Sequence, residues 1–321
     1  MHILVFGKDG QLGKAFKGLF DSLSFSQPVQ IQYVGREQCD LANASALEGL
    51  LNQSKANLII NASAYTSVDK AEAEIELAFA INARAPELMA KYAVEHGVTF
   101  LHYSTDYVFD GEKYGFYLED DIRNPLGVYG KSKASGEEAI ARVFANSVTG
   151  HYAIFRTSWV YGDGGNFIRT ILRLAKEREE LKIIADQFGV PTSANWLAEI
   201  SLSLALSPQG DLNAFPSGIY HAVPAGETTW HGLAASAINA ALEAGIPLKA
   251  APASIKAIPA IEYPLPAPRP MNSRMSTDKL QAVLSLSNSY NDPLKGWGQG
   301  FPHWEPMVHE YIRNLANSGL I

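Results

Sequence analysis

The segment Ile3-Leu4-Val5-Phe6-Gly7-Lys8-Asp9-Gly10-Gln11-Leu12-Gly13 decides the fold of this chain of 321 residues. Its apolar start is typical of a buried parallel strand, and a helical pattern follows over residues 14–20. Glycines at three-residue intervals between a strand and a helix permit a tight turn, a close approach to pyrophosphate, and close helix–strand packing. The segment therefore predicts a dinucleotide site at the helix N-terminus. The predicted cofactor contacts here are Gly7, Gly10, Gln11, Leu12 and Gly13.

Strand and helix patterns alternate from this segment to about residue 156. The predicted strands cover residues 3–6, 31–34, 58–60, 99–103 and 153–156, with a short strand ending at 40–41. Helices are expected from about Asn43 and over 78–94, and residues 68–76 are expected to be an exposed helix start. A strand at 218–223 is expected to rejoin the first sheet, so the two lobes are interleaved in sequence.

These patterns predict an α/β fold with a Rossmann-type doubly wound parallel sheet and a smaller mixed α/β substrate lobe. The predicted division assigns residues 1–158, with a returning segment at about 190–226, to the Rossmann domain. Residues 159–189 and 227–321 form the second lobe. Seven prolines between residues 247 and 270 exclude a long helix there.

The residues after the second strand bear on cofactor preference. NAD sites usually place a carboxylate directly after this strand to hold the ribose hydroxyls, whereas Arg36 stands here. A guanidinium suits the 2′-phosphate of NADP, so we expect NADPH to be preferred and NADH to be accepted less well. A solvated surface arginine is the alternative. Asp40 and Leu41 are predicted near the adenine, although Asp40 is equally suited to capping the next helix.

The segment Asn61-Ala62-Ser63-Ala64 follows the third strand, where small residues leave room for a cofactor at the carboxyl edge of the sheet. Ala62, Ser63 and Ala64 are therefore candidate cofactor contacts, and a plain strand-to-helix loop is the alternative. Asn82 is predicted either to be solvated or to bond backbone. His102 is interpreted as a residue packed within the sheet.

Tyr129 and Lys133 are four residues apart and would share one face of a helix. A neighbouring ammonium favours the ionised phenol, so this pair is typical of a tyrosine that transfers protons near neutral pH. Ser104 and Thr105 end the preceding strand, and their hydroxyls are predicted to hold a carbonyl oxygen. A lysine stem lying on a tyrosine ring is the structural alternative.

Composition narrows the classes of function. The net charge of −7 and pI near 5.6 argue against nucleic-acid and anionic-membrane partners. A single cysteine, Cys39, excludes an internal disulfide framework and fits a reducing, cytoplasmic location. No histidine or cysteine spacing is typical of a metal site, and no apolar run reaches membrane-spanning length.

Several segments together resemble the extended short-chain dehydrogenase/reductase superfamily and, within it, the dTDP-4-dehydrorhamnose reductase family. They occur in family order over nearly the whole chain: the glycine triplet, Asn61–Thr66, Ser104–Phe109, Tyr129-xxx-Lys133, Arg156–Tyr161, Asp186–Gly189, Pro191-Thr192 and Arg269–Arg274. The resemblance implies an NADPH-dependent reduction of a C4 keto group on a dTDP-sugar. Two alternatives stay open: a related NAD-dependent epimerase or dehydratase, and a non-catalytic regulatory subunit resembling the β subunit of methionine adenosyltransferase.

The resemblance also implies roles for individual residues. Tyr129 matches the proton donor, and Lys133 matches the lysine that holds the nicotinamide ribose and lowers the pKa of the tyrosine. Thr105 matches the hydroxyl on the substrate carbonyl, a task that Ser104 would share. Trp159 matches an indole lying against the sugar, with core packing as the alternative. Arg269 is a candidate for the diphosphate or, equally, a salt-bridged structural arginine.

Some family members join two subunits through a divalent metal held by acidic side chains. The matching positions here are Ala15 and Asn195, neither of which carries a carboxylate. We therefore expect no metal site, and a monomer or a weak homodimer that no metal bridges.

Overall fold

The computed structural model describes residues 1–286 and 300–321. Residues 287–299, which the predicted second lobe includes, lie outside the described residues. The strands of the described residues are β1 (His2–Phe6), β2 (Gln30–Val34), β3 (Leu58–Asn61), β4 (Thr99–Thr105), β5 (Tyr152–Thr157), β6 (Val160–Tyr161), β7 (Leu181–Ile184), β8 (Phe188–Gly189), β9 (Thr192–Ser193), β10 (Gly218–His221), β11 (Thr228–Thr229) and β12 (Ile255–Ile258).

The helices alternate with these strands through the first half of the chain. In the same described residues they are α1 (Gln11–Ser22), α2 (Ala44–Ser54), α3 (Val68–Ala71), α4 (Ile75–Phe79), α5 (Ala85–His96), α6 (Val128–Phe144), α7 (Phe167–Glu177), α8 (Ala194–Ala205), α9 (Trp230–Glu243), α10 (Asp278–Ser285) and α11 (Trp304–Asn317). None of them is both long and apolar enough to cross a membrane.

The central sheet has six parallel strands in the order β10-β5-β4-β3-β1-β2. Strands β1, β3 and β4 are buried runs, as expected where helices cover both faces of a parallel sheet. The returning strand is confirmed, because Gly218 pairs with Ala153 at the start of the β10–β5 ladder. The α/β fold with a doubly wound parallel sheet is thus confirmed.

Three apolar clusters form the core. One joins α1 and α8 on one face of the sheet, and a second joins α2, α5 and α6 on the other face. A third cluster lies among α7, α9 and α11 and contains the aromatic side chains that follow β5. The lobe boundaries proposed from the sequence stay a prediction.

The short strand expected to end at Asp40 and Leu41 is wrong. A turn follows β2, in which the amide of Cys39 donates to the Gly35 carbonyl at 3.1 Å. Because the Cys39 amide and the Gly35 carbonyl bond each other in this turn, they are not free to pair with a neighbouring strand. Helix α2 does begin after Asn43, whose side chain accepts from the amide of Ala46 at 3.1 Å.

The helix expected over residues 78–94 is interrupted. A π-helical turn at Ala80–Arg84 separates α4 from α5, and Asn82 lies in it. Asn82 is buried and bonds both backbone groups of Tyr65, accepting at 2.8 Å and donating at 3.1 Å. Of the two interpretations of Asn82, backbone bonding therefore fits. The wider turn adds a residue to the helix at the place where this side chain must face the loop after β3.

Candidate active site

The glycine turn after β1 is shaped for a ligand that needs a close backbone approach. Gly7 has φ +84°, and a Cβ there would lie 2.7 Å from the carbonyl oxygen of Ala62. A Cβ on Gly13 would lie 2.0 Å from the Gly7 carbonyl oxygen. Side chains at these positions would therefore separate the turn from helix α1 and from the loop after β3. The residues present fit a dinucleotide, whose pyrophosphate needs this cradle.

Helix α1 begins with backbone amides that no side chain caps. Its N-cap residue is Gly10, which has no side chain that could accept from these amides. The first-turn amides therefore remain available for phosphate. The Leu12 side chain is buried in the core, which leaves only its backbone for the ligand. The side-chain amide of Gln11 donates through Nε2 to the Val160 carbonyl at 3.5 Å and accepts through Oε1 from the Asn166 side chain at 3.4 Å.

Arg36 lies just after β2 and is exposed. It makes no ion pair or hydrogen bond within residues 1–286 and 300–321. The Lys8 side chain passes close by, because a Cβ on Gly35 would lie 2.7 Å from Lys8 Cε. The Asp9 carboxylate lies as close to Gly35 as Lys8 does, so a base and an acid both lie at the end of β2, and the sequence singled out neither for this position. Asp40 accepts from the amide of Ala42 at 3.1 Å, just before α2.

The loop after β3 meets the glycine turn through Ala62 and Ser63. Ser63 donates through its amide to Asn61 Oδ1 at 3.3 Å, and its hydroxyl contacts the same oxygen. Ala64 continues this loop and is partly exposed. All three predicted contacts therefore lie at the carboxyl edge of the sheet, next to the predicted phosphate site.

Thr105 and Tyr129 come together at this edge. The Thr105 side chain interacts with the phenol of Tyr129, which also lies 5.4 Å edge-on from the ring of Tyr107. Tyr129 as a whole is only half-buried, yet burial of the phenol raises its pKa to about 12, while the hydrogen bond from Thr105 acts to lower it. The groups that shift this pKa are the surrounding protein interior, Thr105 and Asp106, so the expected lowering of the Tyr129 pKa by Lys133 stays a prediction.

The ammonium of Lys133 points at the backbone of the sheet. Lys133 is 1% exposed, donates to the Tyr103 carbonyl, and lies 3.3 Å from His102 Nε2. Burial lowers the pKa of Lys133 to about 8, and Glu137, one turn further along α6, opposes this shift. His102 is packed within the sheet, as expected, but it also touches a predicted catalytic side chain.

Ser104 and Thr105 have different surroundings. The Thr105 hydroxyl donates to Asp106 Oδ1 at 2.8 Å, and Ser273 donates to the other oxygen of this carboxylate. Ser104 Oγ is buried and has no hydrogen-bond partner among the described residues. Asp106 and Ser273 lie within the segments Ser104–Phe109 and Arg269–Arg274. Their contact spans 167 residues, so no local pattern predicts it.

Trp159 follows the end of β5 by two residues and is held in an aromatic stack. Its ring lies 3.7 Å from that of Trp230 at 17°, and Phe167 packs on Trp230 at 4.6 Å. Trp159 has φ 48°, a conformation that bulky residues rarely adopt. Trp159 is only partly buried, so the stack combines core packing with an exposed indole surface. Trp230 was not identified from the sequence.

Arg269 forms an ion pair. Its guanidinium donates to both oxygens of Asp69 at 3.0 Å and to the Ala267 carbonyl at 2.8 Å. This geometry is that of a salt-bridged structural arginine, which was the alternative left open for Arg269. Arg269 also lies 6.0 Å from the ring of Tyr107, so it borders the predicted catalytic residues.

Comparisons with known proteins show which family the chain resembles. The RmlD substrate binding domain family model matches residues 1–297. The chain belongs to this family. A dTDP-4-dehydrorhamnose reductase from Escherichia coli (strain K12) is 44% identical over 329 residues, covering 100% of both chains.

Solved structures extend the comparison with the RmlD family. A dTDP-4-dehydrorhamnose reductase from Clostridium acetobutylicum has a TM-score of 0.81 at 31% identity, covering 98% of this chain and 99% of that one. The enzyme from Bacillus anthracis, in complex with NADP, has a TM-score of 0.79 at 28% identity, with the same coverage. The family, the Rossmann-like fold and the expected activity thus agree along the full chain.

Proposed function

We propose that Thr105, Tyr129 and Lys133 carry out the reduction of the C4 keto group of dTDP-4-dehydrorhamnose, giving dTDP-L-rhamnose. The chain is an NADPH-dependent oxidoreductase of dTDP-rhamnose biosynthesis. One observation carries the residue assignment: the phenol of Tyr129 interacts with Thr105 at the sheet edge that also holds the Gly7 turn.

NADPH, when bound, supplies the hydride for the C4 carbon. The turn at Gly7–Gly13 and the loop at Ala62–Ala64 would hold its phosphates and nicotinamide half. Arg36, with Lys8 beside it, would bind the 2′-phosphate through charge-assisted hydrogen bonds. This arrangement favours NADPH over NADH.

Tyr129 gives its proton to the oxygen that becomes the C4 hydroxyl. A pKa of about 12 keeps the phenol protonated at neutral pH, which is the form that a proton donor needs. Thr105 then donates a hydrogen bond to the phenolate and stabilises it. In the free protein the Thr105 hydroxyl donates its hydrogen to Asp106, so Asp106 sets the orientation of this hydroxyl.

The sugar nucleotide is proposed to lie between the catalytic residues and the Trp159 stack. Ser104 offers a buried hydroxyl without a partner in the described part of the chain. For Arg269, contact with the diphosphate would require the guanidinium to share or leave Asp69. A cytoplasmic location is proposed from the single, buried Cys39.

The test is NADPH oxidation by the purified protein with the 4-keto sugar nucleotide generated from dTDP-glucose. We expect oxidation to depend on this substrate and to yield dTDP-L-rhamnose in equal amount. An epimerase or dehydratase would consume no added NADPH, and a regulatory subunit would bind it without turnover. Either of those results would overturn the proposal.

A further inference from the structure

A chain of hydrogen bonds leads from the loop after β3 to the predicted catalytic lysine. Asn61 ends β3 and is paired in register with His102 on β4, so their side chains lie next to each other. Asn61 Nδ2 lies 3.0 Å from His102 Nδ1, and His102 Nε2 lies 3.3 Å from Lys133 Nζ. Asn61, His102 and Lys133 are 0%, 1% and 1% exposed, so water does not reach them.

The backbone determines which atom donates in each of these hydrogen bonds. Asn61 Oδ1 accepts from the amide of Ser63 at 3.3 Å, and a backbone amide can only donate. The other end of the Asn61 amide, Nδ2, must therefore donate to His102 Nδ1. Flipping the Asn61 amide would place its Nδ2 against the Ser63 amide, so that two donors would face each other, which is unfavourable.

The proton of the neutral His102 ring then lies on Nε2. Burial, followed by the charge of Lys133, lowers the pKa of His102 well below its usual value, so the ring carries a single proton. With Nδ1 accepting from Asn61, that proton points at Lys133 Nζ. An ammonium has no lone pair with which to accept it, whereas a neutral amine does.

We propose that Asn61 and His102 act as positioning residues that weaken proton binding by Lys133, because His102 Nε2 donates toward the lysine nitrogen. This inference rests on the proposed function only for the catalytic importance of Lys133. The hydrogen-bond chain itself is a property of the free protein. Its consequence adds to that of burial: Lys133 loses its proton at a lower pH than burial alone would produce.

Other charges near Lys133 do not supply this effect. Glu137, on the same helix, raises the pKa of Lys133, and Asp106, after β4, acts on Tyr129. From the π-helical turn packed on α6, Asn82 bonds Ser132 at 3.0 Å and carries no charge. Among the described groups, His102 is the titratable side chain that faces Lys133 from the sheet.

The first test observes the ring directly. Nitrogen-15 spectra of histidine-labelled full-length protein, with His102 assigned from a His102→Gln variant, report which ring nitrogen carries the proton. We expect a protonated Nε2 and an unprotonated Nδ1 in His102. A proton on Nδ1 would overturn the proposal. No substrate or cofactor is needed, so this result is independent of whether the protein is a reductase.

The second test reverses the direction of the hydrogen bonds between Asn61, His102 and Lys133. Asn61→Asp keeps the side-chain shape but replaces the Nδ2 donor by an acceptor, so the His102 proton should move to Nδ1 and Nε2 should accept from Lys133. The Lys133 titration midpoint, followed by its carbon-13 Cε shift, should rise by about one pH unit or more, a tenfold change in proton affinity. The basic limb of kcat/KM should move with it.

Asn82→Asp is the matched control. It places a carboxylate at another buried asparagine near α6 without touching His102. We expect it to leave the His102 proton on Nε2. A folded Asn61→Asp protein with an unchanged ring proton and Lys133 midpoint would overturn the proposal. If that variant does not fold, the wild-type ring measurement decides alone.

Discussion

Glu137 forms a two-point ion pair with Arg156, with nitrogen–oxygen distances of 2.9 and 2.7 Å and exposures of 0% and 1% for the two side chains. Glu137 lies one helical turn beyond Lys133, and Arg156 lies on β5. The pair therefore fastens the lysine-bearing helix to the sheet. Arg123 also donates to Glu137, at 3.4 Å.

Glu137→Gln should strongly destabilise the fold. It removes the charge that compensates buried Arg156, and losing one partner of such a pair costs about 3–5 kcal/mol. Denaturant unfolding measures this change. Glu177→Gln, which breaks an exposed pair with Arg173, is the control and should cost at most about 0.5 kcal/mol. Equal small losses would show that the buried pair is not structurally important.

Asp106 should make stability fall as the pH rises. Burial raises its pKa from 3.8 to about 6. Because the folded protein holds this proton more tightly, the stabilisation is fully present below 3.8 and is lost as pH rises through about 6. The difference in unfolding free energy between wild type and Asp106→Asn should change across this window by on the order of 3 kcal/mol.

Asp110→Asn provides a control of opposite sign. Hydrogen bonds, led by that from the Glu112 amide, lower the pKa of Asp110. Wild type should therefore lose the Asp110 contribution as pH falls through that lowered pKa. A wild-type advantage over Asp106→Asn that is constant with pH would mean that Asp106 is not buried as described.

Arg36→Ala should weaken NADPH binding far more than NADH binding. An arginine–phosphate contact contributes about 1.5–3 kcal/mol, and only NADPH carries the 2′-phosphate. Fluorescence titration with each cofactor measures the two dissociation constants. Arg178→Ala, which removes an exposed arginine at the end of α7, should change neither. Equal weakening of both cofactors would make Arg36 a general surface charge.

No divalent metal should bridge two copies of this chain. Mg²⁺ sites in proteins usually include one or two carboxylates, whereas Ala15 is a buried core residue and Asn195 is exposed and uncharged. Sedimentation in excess EDTA and then in excess Mg²⁺ should give the same mass. A dimer that dissociates in EDTA and re-forms with Mg²⁺ would contradict this expectation.

Local pattern was enough to predict much of this molecule. Apolar runs and glycine spacing predict the strands and the turn at Gly7, because both depend on residues close in sequence. The Tyr129 and Lys133 spacing likewise predicts a shared helix. The same reasoning cannot predict that Arg269 pairs with Asp69, 200 residues away.

Packing also changed the chemistry expected from spacing alone. The four-residue interval predicts a cation beside the phenol, but burial of Tyr129 dominates its pKa. Lys133 instead meets His102, whose position on β4 becomes meaningful only when α6 is packed on that strand. The break at Asn82 has the same origin, because a side chain must reach the Tyr65 backbone.

The central claim is that Tyr129 donates the proton, and Tyr129→Phe tests it most directly. General acid catalysis contributes about 10²–10⁴-fold, so kcat for NADPH oxidation with the 4-keto sugar nucleotide should fall by that factor. The dissociation constant for NADPH should stay near the wild-type value. A Tyr129→Phe enzyme with near wild-type kcat would contradict the account.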